Sequence, residues 1–204
     1  MLFDDTYKTI KFFSEGIFRD KGSKFIGYAY PIKSEVEVKE IIAKLKNEHN
    51  KARHFCWAIR LTADRNVFKL NDDGEPSGTA GRPILNTLLS LDITNVLVVV
   101  VRYFGGTLLG VPGLINAYKT ATVEALNANE IVTKTINDIY EVNFDYLAMN
   151  QVMRIIKDED LNVLNQTFDT HCIIKFEVRK SNLNLVLAKL EKIEGIKLSY
   201  VGTL

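Results

Sequence analysis

The run Asn71-Asp72-Asp73-Gly74-Glu75-Pro76-Ser77-Gly78-Thr79-Ala80-Gly81-Arg82-Pro83 crowds three carboxylates, three glycines and an arginine into one segment. Asp72, Asp73 and Glu75 form a candidate acidic site, because Mg²⁺ takes oxygen ligands and often only one or two carboxylates. The alternating acids of a calcium loop are absent. Gly78 and Gly81 leave backbone amides bare just before an expected helix, which suits an anion beside Arg82. A rigid loop, with aspartates making local turns and glycines supplying positive φ, fits the same residues.

A second glycine-rich run, Phe104-Gly105-Gly106-Thr107-Leu108-Leu109-Gly110-Val111-Pro112-Gly113, follows a strongly apolar segment. Strand, glycine turn, helix is a phosphate-binding geometry. The spacing is neither G-x-G-x-x-G nor G-x-x-x-x-G-K-[ST], and the nearest bases are Arg102 and Lys119. Gly105 and Gly106 allow the backbone to pass close to a ligand or to the other glycine loop. Tyr103 and Phe104 beside Arg102 form either a stacking platform for bases or core packing. Nucleophile patterns are poor. Ser77 is not in G-x-S-x-G. His54 and Cys56 sit two apart on a strand, pointing the same way without facing each other. His49, His54 and His171 lack ligand spacing, so no metal centre of histidines is expected.

The elements that must hold these loops are readable from periodicity. Strands are expected over about 9–18 and 24–30, with a turn at Asp20-Lys21-Gly22-Ser23. Ser34 and Glu37 form a capping box for a helix over about 35–48. His54–Leu61 is a strand with Phe55, Trp57, Ile59 and Leu61 on one face, and residues 66–70 are its hairpin partner. A short helix follows from about Arg82 with Ile84, Leu85, Leu88 and Leu89 inward. Residues 95–103 are apolar on both faces, as in a central strand covered on both sides. A helix is expected over 114–127. The last third then reads strand (Tyr140, Val142, Phe144, Tyr146 inward), helix (Met149, Val152, Met153, Ile156), strands over 161–168 and 171–179, a helix capped by Ser181, and a closing strand over 197–203. That βαββαβ order is the ferredoxin-like motif. The expected division is residues 1–136 and 137–204.

With 204 residues, 47% hydrophobic and 25% charged, the chain is of globular composition, neither disordered nor fibrous. The longest apolar run, Val96–Val101, is far short of the roughly 20 residues of a membrane span, and acids at Asp4 and Asp5 oppose a secretory signal. Two distant cysteines, Cys56 and Cys172, suit a reducing compartment, so a cytoplasmic protein without membrane association is expected. Net charge is +1; residues 1–136 carry 18 Lys/Arg against 15 Asp/Glu, and 137–204 carry 8 against 10. Any anion-binding face therefore belongs to the first part.

Residues 72–85 and 98–110, together with Gly113-Leu114, Ala117-Tyr118, His54, Cys56-Trp57-Ala58 and Lys24-Phe25-Ile26, resemble the YigZ/IMPACT family along the whole chain. Val111-Pro112 departs from the family pattern, where a smaller residue is expected before Gly113. The resemblance implies an α+β protein: a ribosomal S-five domain-2-like sandwich, then a ferredoxin-like domain similar to the last domain of elongation factor G. It also implies a link to translation, since eukaryotic relatives bind a ribosome-associated activator of a starvation kinase.

Three functions remain. The first is a non-enzymatic module binding RNA, the ribosome or a translation-related protein, with contacts at Arg82, Arg102, Tyr103, Lys119, Gly78, Gly81, Gly105 and Gly106 and no catalytic residue or cofactor. The second is an enzyme, or a binder, for a phosphorylated small molecule or nucleotide, with Mg²⁺ on Asp72, Asp73 and Glu75; the missing Walker lysine and missing general base count against it. The third is a protein–protein adaptor. The oligomeric state is left open.

Overall fold

The structure, a computed structural model, describes residues 5–169 and 171–203. It is mixed α+β, with two compact units. Tyr7–Lys134 form one; the chain from Thr135 onward, joined by Asp5 and Thr6, forms the other.

In the larger unit a five-stranded antiparallel sheet is built from β2 (Ser14–Asp20), β3 (Ser23–Pro31), β4 (His54–Leu61), β5 (Val67–Asn71) and β6 (Val96–Tyr103), in the order β2-β3-β6-β4-β5. β6 is central. Val96, Val98 and Val100 join the core under α2 (Gly81–Ser90) and α3 (Gly110–Asn127), while Leu97, Val99 and Val101 join the core under α1 (Val36–Glu48). This two-sided burial is why β6 is continuously apolar, and each such side chain contributes about 1.5–3 kcal/mol. β4 follows the same rule, with Cys56 and Ala58 toward α2 and α3, and Phe55, Ile59 and Leu61 toward α1. Two short strands, β1 (Thr6–Ile10) and β7 (Ile131–Thr135), pair with each other.

Two glycines set how closely α3 approaches the sheet. Gly16 on β2 and Gly27 on β3 are direct cross-strand partners. A Cβ at Gly27 would lie 2.3 Å from the Ala121 carbonyl oxygen, and one at Gly16 would lie 2.3 Å from the Ala125 nitrogen. The helix backbone therefore rests directly on the strands, and any side chain there would have to lift it.

The second unit has β8 (Asn137–Phe144), α4 (Met149–Asp158), β9 (Asn162–Phe168), β10 (Cys172–Arg179), α5 (Leu183–Leu190) and β11 (Lys197–Thr203). Its antiparallel sheet runs β11-β8-β10-β9, the ferredoxin-like arrangement expected from the sequence. Cys172, Ile174, Phe176 and Val178 alternate into a core shared with Val152, Ile156, Val186 and Leu190. Asp5 is bound here: its carboxylate accepts from Arg179 Nε at 2.6 Å, Arg179 Nη2 at 3.0 Å and the Ser181 amide at 3.3 Å.

Several local expectations change. The strand expected over 9–18 is two strands, interrupted at residues 11–13. The first-unit helix starts at Val36; Glu37 Oε1 accepts from the Lys33 and Ser34 amides, but the Ser34 hydroxyl bonds that same carboxylate rather than capping the helix. α3 begins at Gly110, because Pro112 is tolerated in a first turn. β8 ends at Phe144, so Tyr146 lies in a 3₁₀ turn and is 74% exposed. Ser181 does not cap α5: its hydroxyl bonds Asn182 and its amide goes to Asp5.

Gly27→Ala should destabilise by about 2–3 kcal/mol in a denaturant titration. Gly202→Ala should stay within about 0.5 kcal/mol of wild type, because no described atom lies within 4 Å of a Cβ there and φ is not positive. A second test concerns pH. The Arg179 hydrogen bond holds the Asp5 carboxyl down, from 3.8 to about 2. Its contribution is thus complete above pH 4 and fades as pH falls toward 2. The stability gap between wild type and Asp5→Asn, followed by denaturation at pH 7 and at stepwise lower pH, should close across that interval.

Candidate functional site

Both glycine-rich loops sit at one end of the five-stranded sheet. The start of β4 pairs with the ends of β5 and β6 (Trp57 with Asn71, His54 with Arg102), so the two strands finish together. The loops then lead into α2 and α3.

The three acids of the first loop each have separate protein partners. Asp72 Oδ1 accepts from the amides of Ala80 (3.1 Å) and Gly81 (2.8 Å), and Oδ2 accepts from Gly78 N (2.9 Å). The anion cradle expected at Gly78 and Gly81 is therefore filled by the chain's own carboxylate, which satisfies the orphan amides at the start of α2. Asp73 Oδ2 accepts from Phe55 N at 2.7 Å, and the Asp73 carbonyl lies 2.9 Å from His54 Nδ1. Asp73 (φ 40°) and Gly74 (φ 87°) turn the chain so that Glu75 points inward. Glu75 Oε1 then accepts from Arg102 Nη1 at 2.6 Å and from the Tyr118 hydroxyl at 2.7 Å. The two charged side chains are only 3% and 6% exposed.

This changes what Arg102 is for. Its guanidinium neutralises a buried acid and lies over the rings of Phe25 and Phe104, at 5.4 and 5.5 Å from their centroids. It does not offer its charge to an external phosphate. Cys56 Sγ lies 2.9 Å from the Asp72 carbonyl oxygen and 3.3 Å from the Tyr118 hydroxyl. Burial pushes both the Cys56 thiol and the Tyr118 phenol well above their ordinary ranges, so both stay protonated. The described residues contain no group of three or more His, Cys, Asp or Glu side chains placed to hold a metal ion.

At Gly105 the second loop packs against the β2–β3 turn. A Cβ at Gly105 would meet the Gly22 carbonyl carbon at 1.9 Å, and Gly105 N donates to Ser23 Oγ at 3.1 Å. Gly106 is exposed and turns with φ 89°. Tyr103 is half-buried and its hydroxyl lies 2.8 Å from His49 Nδ1; His49 Nε2 lies 2.8 Å from the Tyr28 hydroxyl. The Tyr103 ring is thereby tethered to the end of α1. Burial pushes the Tyr28 hydroxyl up to about 12.

Exposed positive charge lies elsewhere. Lys24 pairs with Tyr103 across β3 and β6, Gly22 touches Gly105, and Arg53 N donates to the Arg102 carbonyl. Register therefore places Lys24 beside the end of β6, Lys21 in the turn that meets Gly105, and Arg53, with Lys51 two residues before it, at the start of β4 alongside. None of these four joins an ion pair among the described residues. Sequence reasoning missed them because they come from separate segments. Their only local signal was position beside a turn or strand start. Of the expected contacts, Arg82, Lys119 and Gly78 do come together, lining a groove of about 420 Å³ between α2 and α3.

Comparison with known proteins gives a consistent set of relatives. Residues 21–126 match the Impact N-terminal domain. An IMPACT family member from Haemophilus influenzae is 33% identical over 174 residues, spanning 84% of this chain and 79% of that one. The IMPACT family member YigZ of Escherichia coli is 29% identical over 172 residues, spanning 83% and 84%. The crystal structure of a hypothetical protein aligns over 97% of this chain and 98% of its own, with TM-score 0.74 and 26% identity.

Glu75→Gln leaves the Arg102 charge buried without a counter-ion. It should destabilise by about 3 kcal/mol or more in urea, whereas Glu75→Leu combined with Arg102→Met should recover part of that loss. Equal stability of Glu75→Gln and wild type would show that the pair does not hold the loop.

Proposed function

Because the chain belongs to the IMPACT family, we propose that it is a non-enzymatic RNA- or ribosome-binding protein of the cytoplasm that acts in the regulation of translation. The observation that carries this reading is the basic rim at the loop end of the larger sheet. Lys21, Lys24, Lys51 and Arg53 are free of ion pairs among the described residues, each is exposed or half-exposed, and Phe104, which follows β6 directly, is exposed as well. Cations that track a phosphate backbone, with an aromatic face for an unstacked base, are the chemistry of single-stranded RNA contact. The carboxylates that would repel phosphate, Asp72 and Glu75, are drawn into internal bonds. The resemblance to a family whose eukaryotic relatives bind a ribosome-associated activator supports the ribosome as the setting.

A non-enzymatic role is supported by the same internal bonding. Glu75 is neutralised by Arg102, Asp72 is saturated by amides, and Cys56 is buried in its protonated form. An activated nucleophile needs a base aimed at it, and His54 is turned to the Asp73 carbonyl.

Binding should be measured by co-sedimentation with ribosomal particles and by anisotropy with labelled single-stranded RNA over a potassium chloride series. The affinity should fall linearly in log–log form. Lys21→Glu with Arg53→Glu should weaken it at least about tenfold and reduce the slope by about 0.7 for each phosphate no longer neutralised. Salt-independent binding, or none to RNA or ribosomal particles, would sink the reading.

A further inference from the structure

The groove between α2 and α3 has a different chemistry from the basic rim. Both helices start at the loop end of the sheet and run side by side. Arg82, Asn86 and Ser90 line it from α2 at four-residue intervals, as do Ile115, Lys119 and Val123 from α3. This spacing keeps each set on one helix face. The remaining surface is mostly carbon, from Pro83, Leu91, Ile115, Val123 and Leu126. Arg82 and Lys119 are the only charges among the described lining residues, and neither forms an ion pair among the described residues. Val111, 52% exposed, continues the row of Ile115 (40% exposed) one turn beyond the groove, and Leu108, 81% exposed, lies in the loop just before α3.

A nucleic-acid backbone would use the two cations and leave the apolar floor in contact with water. A purely apolar ligand would cover the floor and strip water from both cations without replacement. An amphipathic helix with acids along its flanks meets both requirements. Its apolar row at i, i+3, i+4 and i+7 fits between the two parallel rows, and its carboxylates reach Arg82 and Lys119. The length is also suitable, since α2 spans about three turns, about 15 Å.

We propose that this groove docks an acidic amphipathic helix of a partner protein. The site is independent of the basic rim, so a partner helix and RNA can be held by the same unit at different surfaces.

The test is a selection of displayed helical peptides of about four turns, panned against the full chain. Enriched peptides should carry apolar residues at i, i+3, i+4 and i+7, with acids outnumbering bases. Their affinity should drop at least about tenfold with Ile115→Glu and with Lys119→Glu, and stay within about twofold with Lys21→Glu. Ile115 and Lys119 are solvent-exposed, and circular-dichroism melts of both variants should match wild type. Three outcomes overturn the proposal: no enrichment; enriched peptides that bind Ile115→Glu as well as wild type; or single-stranded RNA, rather than peptide, whose affinity falls with Ile115→Glu.

Discussion

The buried contact of Glu75 with Arg102 and Tyr118 is the constraint on which the loop end depends. It joins a loop, the central strand and a helix at one carboxylate oxygen. Loops without regular hydrogen bonding are ordinarily the mobile parts of a domain. Here the first loop is held from inside by a charge, by Asp72 reaching the amides at its far end, and by Asp73 bonded to β4. Burying an ion pair is seldom a net gain in stability over well-packed apolar groups. Its effect is positional: Glu75 fits only where Arg102 and Tyr118 already stand, so the loop has one conformation to adopt. The exposed groups around it, Phe104 and the neighbouring lysines, are then carried on a rigid edge.

The same economy governs α3. Because Gly16 and Gly27 oppose each other on adjacent strands, the helix backbone can lie against the sheet, which puts Tyr118 within reach of Glu75. A thicker layer would carry the phenol away from the acid. Close packing and the polar network are therefore one arrangement: small residues on two strands set a spacing that a hydrogen bond on the next layer requires.

Much of this was legible in the sequence, for physical reasons that can be traced. β6 announced itself because a strand buried on both faces has no polar side to show. The ferredoxin-like unit was readable because its strands alternate cleanly over a one-sided core. The site was less legible. Arg102 looks like a phosphate ligand until its partner Glu75, from a loop 27 positions earlier, is seen beside it. Gly78 and Gly81 look like free donors until Asp72 is seen to fold back over them. Lys21, Lys24, Lys51 and Arg53 acquire meaning only from strand order, which no local pattern encodes. Arg82 and Lys119, by contrast, stand out in the sequence as bases near the glycine loops, and they do meet across one groove.

Asp5 and Arg179 stand 174 positions apart and close a single carboxylate–guanidinium contact. The smaller unit is thus discontinuous along the chain, with one of its anchors emerging from the ribosome well before the other. Domains generally fold as units during synthesis. This one must wait for Arg179 and the strand that follows it, while the larger unit has every segment it needs once Lys134 is out. The anchor at Asp5 consequently waits through the synthesis of the whole larger unit before its partner appears.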